Sequence, residues 1–167
     1  MLVNKMIEKN IERIRLSFPK DSSADFVLDE FLIDGKKACI GFFNGSTNSE
    51  LLLKVQKSII NADEIPPTMS EFSKKTVPLT DKKLTSDFDT AITALLSALS
   101  VLFIDGYDEA LILDTKSYPS RSIEEPEKNK TMRGPRDGFC ESVFVNTALI
   151  RRRIKSDKLA LEEFTIG

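Results

Sequence analysis

Residues 26–43 read FVLDEFLIDGKKACIGFF. Two runs rich in aromatic and branched apolar residues, Phe26 to Ile33 and Lys37 to Phe43, are joined across Asp34-Gly35. An Asp-Gly pair between two such runs signals a tight hairpin, because both central positions of the favoured turn need positive φ. The chain therefore commits early to an antiparallel strand pair, and the flanking segments are read as what packs against it.

Asn4 to Phe18 reads as a helix with Val3, Ile7, Ile11 and Ile14 on one face, closed by Pro19. Lys20 to Asp25 is a polar linker. Beyond the hairpin, Thr47 and Glu50 have the spacing of a capping box for a helix carrying Leu51, Leu52, Leu53, Val55 and Ile59. Residues 62–83 contain Pro66, Pro67 and Pro78 among mixed charges and read as a surface excursion. Ser86 is then the expected N-cap of a helix with Phe88, Ile92, Leu95 and Leu99 as its stripe. Val101 to Asp105 and Glu109 to Thr115 follow as strands around Gly106-Tyr107. Residues 118–135 form a polar loop leading to a basic helix, and Leu159 to Ile166 reads as a last strand. The resulting order, α-β-β-α-α-β-β-α-β, predicts an α/β fold: a mixed β-sheet of about five strands with helices packed on it. All 167 residues fit one domain.

The basic helix is the most distinctive segment. Residues 133–154 read RGPRDGFCESVFVNTALIRRRI, a loop stiffened by Pro135 and flanked by Gly134 and Gly138. Asp137 is its natural N-cap, and Glu141 sits in the first turn, where the helix dipole favours a carboxylate. A helix over Phe139 to Lys155 places Phe139, Val143, Asn146, Ile150 and Ile154 on one stripe, expected to face the core. Phe144, Val145 and Ala148 then project from the opposite side, while Arg151 and Arg153 flank the seam and Arg152 points away from it. A helix apolar on two sides is either sandwiched between layers or offers a surface to a partner.

These residues resemble the GerA-type spore germination receptor A-subunit family, whose members share a Gly-Pro-Arg-acidic-Gly-Phe loop and a helix ending Leu-Ile-Arg-Arg-Arg-Ile. Here those motifs are Gly134 to Phe139 and Leu149 to Ile154. Val101 to Ala110, Arg121 to Pro126 and Lys37 to Gly45 support the likeness in the same order. Phe144 and Val145 depart from it, standing where the family usually has polar residues. The resemblance implies the N-terminal soluble domain of a membrane protein that continues into a second soluble subdomain and a membrane region. It implies nutrient-triggered spore germination, the spore inner membrane with this domain on the cytoplasmic, spore-core side, and receptor B and C subunits and other A-subunits as partners.

Composition and chemistry narrow the function. The chain holds 24 Lys and Arg against 26 Asp and Glu, a net charge of −2, so no basic field favours nucleic acid. It contains no histidine, which removes the usual general base near neutral pH and the commonest zinc ligand. No phosphate-loop pattern is present. Asp105, Asp108 and Glu109 are too few for a calcium loop and fit an Asp-Gly turn. Cys140, near a helix start and Arg136, reads as a half-buried small residue in preference to a reactive thiol. Neither an enzyme nor a cofactor is expected. The N-terminal MLVNKMIEKNIERI lacks the apolar core of a secretory leader, and Ala91 to Ile104 falls short of the about 20 apolar residues that cross a bilayer. The expected interaction residues are Arg133, Arg136, Phe144, Val145, Ala148, Arg151, Arg152 and Arg153, facing a neighbouring subunit or an anionic membrane surface. Arg136 is expected to pair with a carboxylate among Glu124, Glu125 and Glu127. The alternative is a nutrient-binding module whose pocket is shared with a missing second subdomain.

Overall fold

Asp34 and Gly35 both adopt positive φ, 45° and 76°, and close the two-residue turn their sequence calls for. The strands on either side, β1 (Phe26–Ile33) and β2 (Lys36–Phe43), pair antiparallel along their whole length. The molecule is described by a computed structural model that covers residues 1–19, 23–62, 64–117 and 138–164. Around the hairpin lie α1 (Ile7–Ser17), α2 (Ser49–Ile60), α3 (Met69–Thr76), β3 (Lys82–Thr85), α4 (Phe88–Leu96), β4 (Ser100–Ile104), β5 (Ala110–Leu113) and α5 (Val143–Arg153). The strands form one five-stranded sheet in the order β1-β2-β4-β5-β3, and each named pairing is antiparallel.

Period-two alternation along the central strands divides the core in two. Cys39, Phe43, Val101, Phe103, Ala110 and Ile112 point to one face, under Ile7, Ile11 and Ile14 of α1 and Phe88, Ala91 and Leu95 of α4. Ala38, Ile40, Leu102, Ile104, Leu111 and Leu113 point to the other, under Leu52, Val55 and Ile59 of α2 and Met69 and Phe72 of α3. The four apolar positions read for the first helix, Val3, Ile7, Ile11 and Ile14, are all buried. Among the described residues no helix is long and apolar enough to cross a membrane.

The expected α/β architecture of about five strands with packed helices forms, with three departures. Residues 62–83, read as an excursion, contain α3 and the first two residues of β3. Thr68 caps α3 by accepting a hydrogen bond from the Glu71 amide, so the prolines that suggested a loop precede an element with its own start signal. The fifth strand is β3 rather than the C-terminal segment. There Leu161 makes only an isolated parallel bridge to Ser23, and residues 165–167 lie outside the described ones. The sheet is antiparallel rather than mixed, because every neighbouring pair runs in opposite directions; β3 leads through α4 to β4, two places away, and β5 then returns between them.

Caps sit one residue later than expected at two helices. Asn48, not Thr47, accepts from the Leu51 amide at α2, and Asp87, not Ser86, accepts from the Thr90 amide at α4. At α1 the Ile7 amide donates to the Asp105 carboxylate, 3.1 Å away at the end of β4. Thus one acid of the Gly106 turn serves as a long-range helix cap, while Asp108 lies 3.6 Å from Lys5.

Candidate interaction surface

α5 begins at Ser142, whose hydroxyl accepts from the Val145 amide, and not at the expected Asp137, which lies outside the described residues. Ahead of it, the Asn146 side chain ties down the approach: its amide nitrogen donates to the Cys140 carbonyl (2.7 Å), and its oxygen accepts from the Cys140 N–H (2.8 Å). Cys140 itself is half-buried. This reciprocal pair satisfies both backbone polar groups of Cys140, two residues ahead of the cap, and so fixes the approach to the helix.

The face that α5 buries is not the expected seam. Phe139 is 69% exposed, Val143 65% and Ile154 48%, whereas Ala148, Leu149 and Arg151 are buried. The reason lies in Arg151. Its Nε and Nη2 donate to the two Asp25 carboxylate oxygens at 2.8 and 2.9 Å, with both side chains about 5% exposed or less. Its guanidinium carbon stands 4.7 Å from the centre of the Phe43 ring. Two parallel bonds and a ring contact offset the desolvation that a buried guanidinium suffers, and they fix the rotation of the helix. Hydropathy alone turns an arginine outward and therefore sets the register wrongly.

The other end of α5 lies against the turn after β2. Gly45 has φ +79°, and a Cβ there would sit 2.2 Å from the Phe144 carbonyl oxygen. The glycine thus meets two demands at once: a left-handed backbone and a contact of backbone on backbone. The segment after α5 then returns to the start of β1. The Arg151 Nη1 donates weakly to the Ser156 carbonyl (3.4 Å), and the Ala24 amide donates to the Leu161 carbonyl (3.0 Å).

Of the expected interaction residues, Phe144 is exposed, Val145 half-buried and Ala148 buried beneath the helix. Arg151 is internal and unavailable to a partner, while Arg152 and Arg153 are exposed at the C-terminal end. Arg133 and Arg136, with Glu124, Glu125 and Glu127, lie outside the described residues. The N-terminal end of α5 presents an apolar surface, Val143 and Phe144, with Phe139 before them and Ile154 and Phe164 beyond the helix, each 48% exposed or more. A hollow of about 100 Å³ there is lined by Ala24, Val143, Phe144 and Leu161 together with the polar Asp25, Thr147, Glu162 and Glu163. Asp25 and Gly45, which organise this surface, carried no sequence signal of their own: one closed a polar linker and the other ended a strand.

Comparison with known proteins places these features in context. Residues 12–167 match the model of a family described as Bacillus/Clostridium GerA spore germination protein. Stage V sporulation protein AF of Bacillus subtilis (strain 168) is 28% identical over 95% of this chain and 33% of its own length. Spore germination protein KA of the same organism is 30% identical over 100% of this chain and 31% of its own. This chain thus spans about a third of the length of these relatives. Among solved structures, the N-terminal domain of the A subunit of the Bacillus megaterium spore germinant receptor GerK3 shares the fold. Its TM-score is 0.70 at 17% identity, over 94% of this chain and 58% of that one.

Proposed function

The chain belongs to the Bacillus/Clostridium GerA spore germination protein family, and from that premise we propose that it is an N-terminal domain of a germinant receptor A subunit that couples and assembles subunits without catalysing a reaction. The observation that carries this reading is the apolar face of α5. Val143 and Phe144 lie side by side in solvent on a helix anchored by Arg151, and burial of such area contributes about 25 cal/mol per Å². A helix with an apolar face that the described residues leave exposed suits docking, since a helix already formed needs no ordering when a partner arrives. In this reading the apolar face, and not the arginine run, makes the contact, because Arg151 faces inward.

The proposal extends to the setting. The full-length protein sits in the spore inner membrane with this domain on the spore-core side, and its partners are the receptor B and C subunits and further A subunits. The absence of histidine from the sequence supports a non-enzymatic role. The test is Phe144→Arg together with Val143→Thr in the full-length protein, read by germination of spores in nutrient and by co-purification of receptor subunits. Loss of both, with normal protein levels and an unchanged melt of the isolated domain, supports the proposal. Normal germination and co-purification would overturn it.

The hollow between Phe144 and Leu161 favours a second reading, in which a nutrient-sized molecule binds at this face once a further subdomain closes over it. At about 100 Å³ the hollow is smaller than the roughly 300 Å³ at which small-molecule sites begin. Titration of amino acids and sugars into the longer N-terminal domain, followed by thermal shift, separates the two: saturable stabilisation lost in Phe144→Arg supports binding, and none supports docking alone.

A further inference from the structure

The two edges of the sheet are built differently. β3 has four residues and opens with Lys82 and Lys83, and the Lys82 ammonium donates to the Ser73 and Val77 carbonyls. A short, lysine-bearing edge is guarded against pairing with another strand. β1 has eight residues, six of them apolar, and pairs only with β2 among the described residues; Leu32 is 60% exposed. A long apolar edge at the opposite end of the sheet from a guarded one is, among the described residues, a surface left open for a strand.

Register tells which backbone groups face out. The Asn44 amide donates to the Asp25 carbonyl (2.8 Å), so odd-numbered residues of β1 turn their peptide groups toward β2. The N–H and C=O of Leu28, Glu30 and Leu32 then point to the open edge. The Ala24 amide already shows this side in use, since it donates outward to the Leu161 carbonyl (3.0 Å). From Leu28 to Leu32 no backbone partner occupies that edge among the described residues.

Charge sets the occupant. Glu30 contacts Arg15 on one face of the sheet, and on the other Asp29 is held by the neutral Gln56 amide at 2.7 Å. Around this edge Glu8, Glu12, Asp29 and Glu30 outnumber Arg15 and Lys37. A second copy of β1 fits poorly in the registers centred on its middle, and one centred on Phe31 sets Glu30 against the copy's Leu32 and Asp29 against its Ile33, with no cation opposite either. Antiparallel pairing centred on Glu30 or Asp29 sets that carboxylate against its own copy, which destabilises a sheet. Pairing centred on Leu28 sets the copy's Leu32 against Ala24, where Leu161 sits.

We propose that the outer edge of β1 takes up an extended strand from a partner polypeptide other than a second copy of this chain. That strand carries Lys or Arg beside Asp29 and Glu30 and branched apolar residues opposite Leu28 and Leu32. This surface is separate from the α5 face and independent of the reading given above.

The test is an amide NMR titration of this chain with the capped peptide Val-Lys-Lys-Lys-Val-Thr, which sets a Lys opposite both Asp29 and Glu30 and Val opposite Leu28 and Leu32 in either direction, and its acidic counterpart Val-Glu-Glu-Glu-Val-Thr. The basic peptide shifts and protects the amides of Leu28, Glu30 and Leu32, and the acidic one binds about tenfold more weakly or worse. Leu32→Pro removes an N–H that serves only the open edge and weakens binding about tenfold, the loss of a peptide hydrogen bond. A basic peptide N-methylated at alternate nitrogens gives the same loss without altering the protein. Unmoved β1 amides, or equal response to both peptides, overturns the proposal. So does self-association of this chain that maps to Leu28–Leu32, because a second copy then occupies the edge.

Discussion

Arg151 and Asp25 stand 126 positions apart and meet through two side-by-side hydrogen bonds, inside a protein whose other described ion pairs lie at the surface. The pair ties α5 to the residue that leads into β1. Removing one partner leaves an uncompensated buried charge, so Asp25→Ala and Arg151→Met each destabilise by about 3–5 kcal/mol. The double variant loses less than the sum of the two. Urea denaturation of all four proteins checks this as a double-mutant cycle, and additive losses would show that the pair does not act as a unit.

The orientation of α5 is tested by two aspartates. Val143→Asp enters solvent and changes stability by no more than about 0.5 kcal/mol, whereas Leu149→Asp places an unpaired charge beneath the helix and loses several kcal/mol. Thermal melts of the two variants decide it. Collapse of the first and tolerance of the second restores the register expected from hydropathy.

Ala98 ends α4 at φ 63°, with its amide donating to Leu95 and the Leu99 amide to Ala94. That is the C-terminal motif in which glycine avoids a left-handed strain of about 1–2 kcal/mol. Ala98→Gly therefore stabilises the chain by about 1 kcal/mol, after the greater freedom of glycine in the unfolded state is subtracted. A lowered urea midpoint would refute the assignment.

Asp87 gives the chain an acid dependence. Its carboxyl accepts from the Thr90 hydroxyl, the N-terminal ammonium and the Thr90 amide, which together hold it down at about 2. A depressed carboxyl contributes stability above its unfolded value near 4 and loses it as pH falls through about 2. Asparagine keeps the cap without titrating. Melts of the parent chain and Asp87→Asn should differ at pH 6 and converge as the pH falls from about 4 to about 2; a constant difference would speak against this origin.

Local signals in the sequence were enough for the hairpin and for α1, since an Asp-Gly turn and a 3.6-residue stripe each act within a few neighbours. Phe26–Ile33 was read to the residue, and Ile7, Ile11 and Ile14 are buried as their spacing required. The rotation of α5 was not legible, because it is set by Asp25, a partner distant in sequence, through a side chain whose polarity argues for the opposite face. β3 was hidden by its own protection: the lysines that guard an edge make it resemble a loop. The outward placement of Phe144 was legible, but its neighbours on that surface were not, because Val143 and Phe139 had been assigned to the core.

Where Gly45 meets Phe144, main chain rests on main chain with no side chain between to yield. A displacement of α5 at that point passes undamped into the turn that closes β2. Arg151 pins the same helix about two turns further on. Held at two points, the helix behaves as a short beam: it can hand on a tilt imposed on its outer face, but has little slack in which to absorb it.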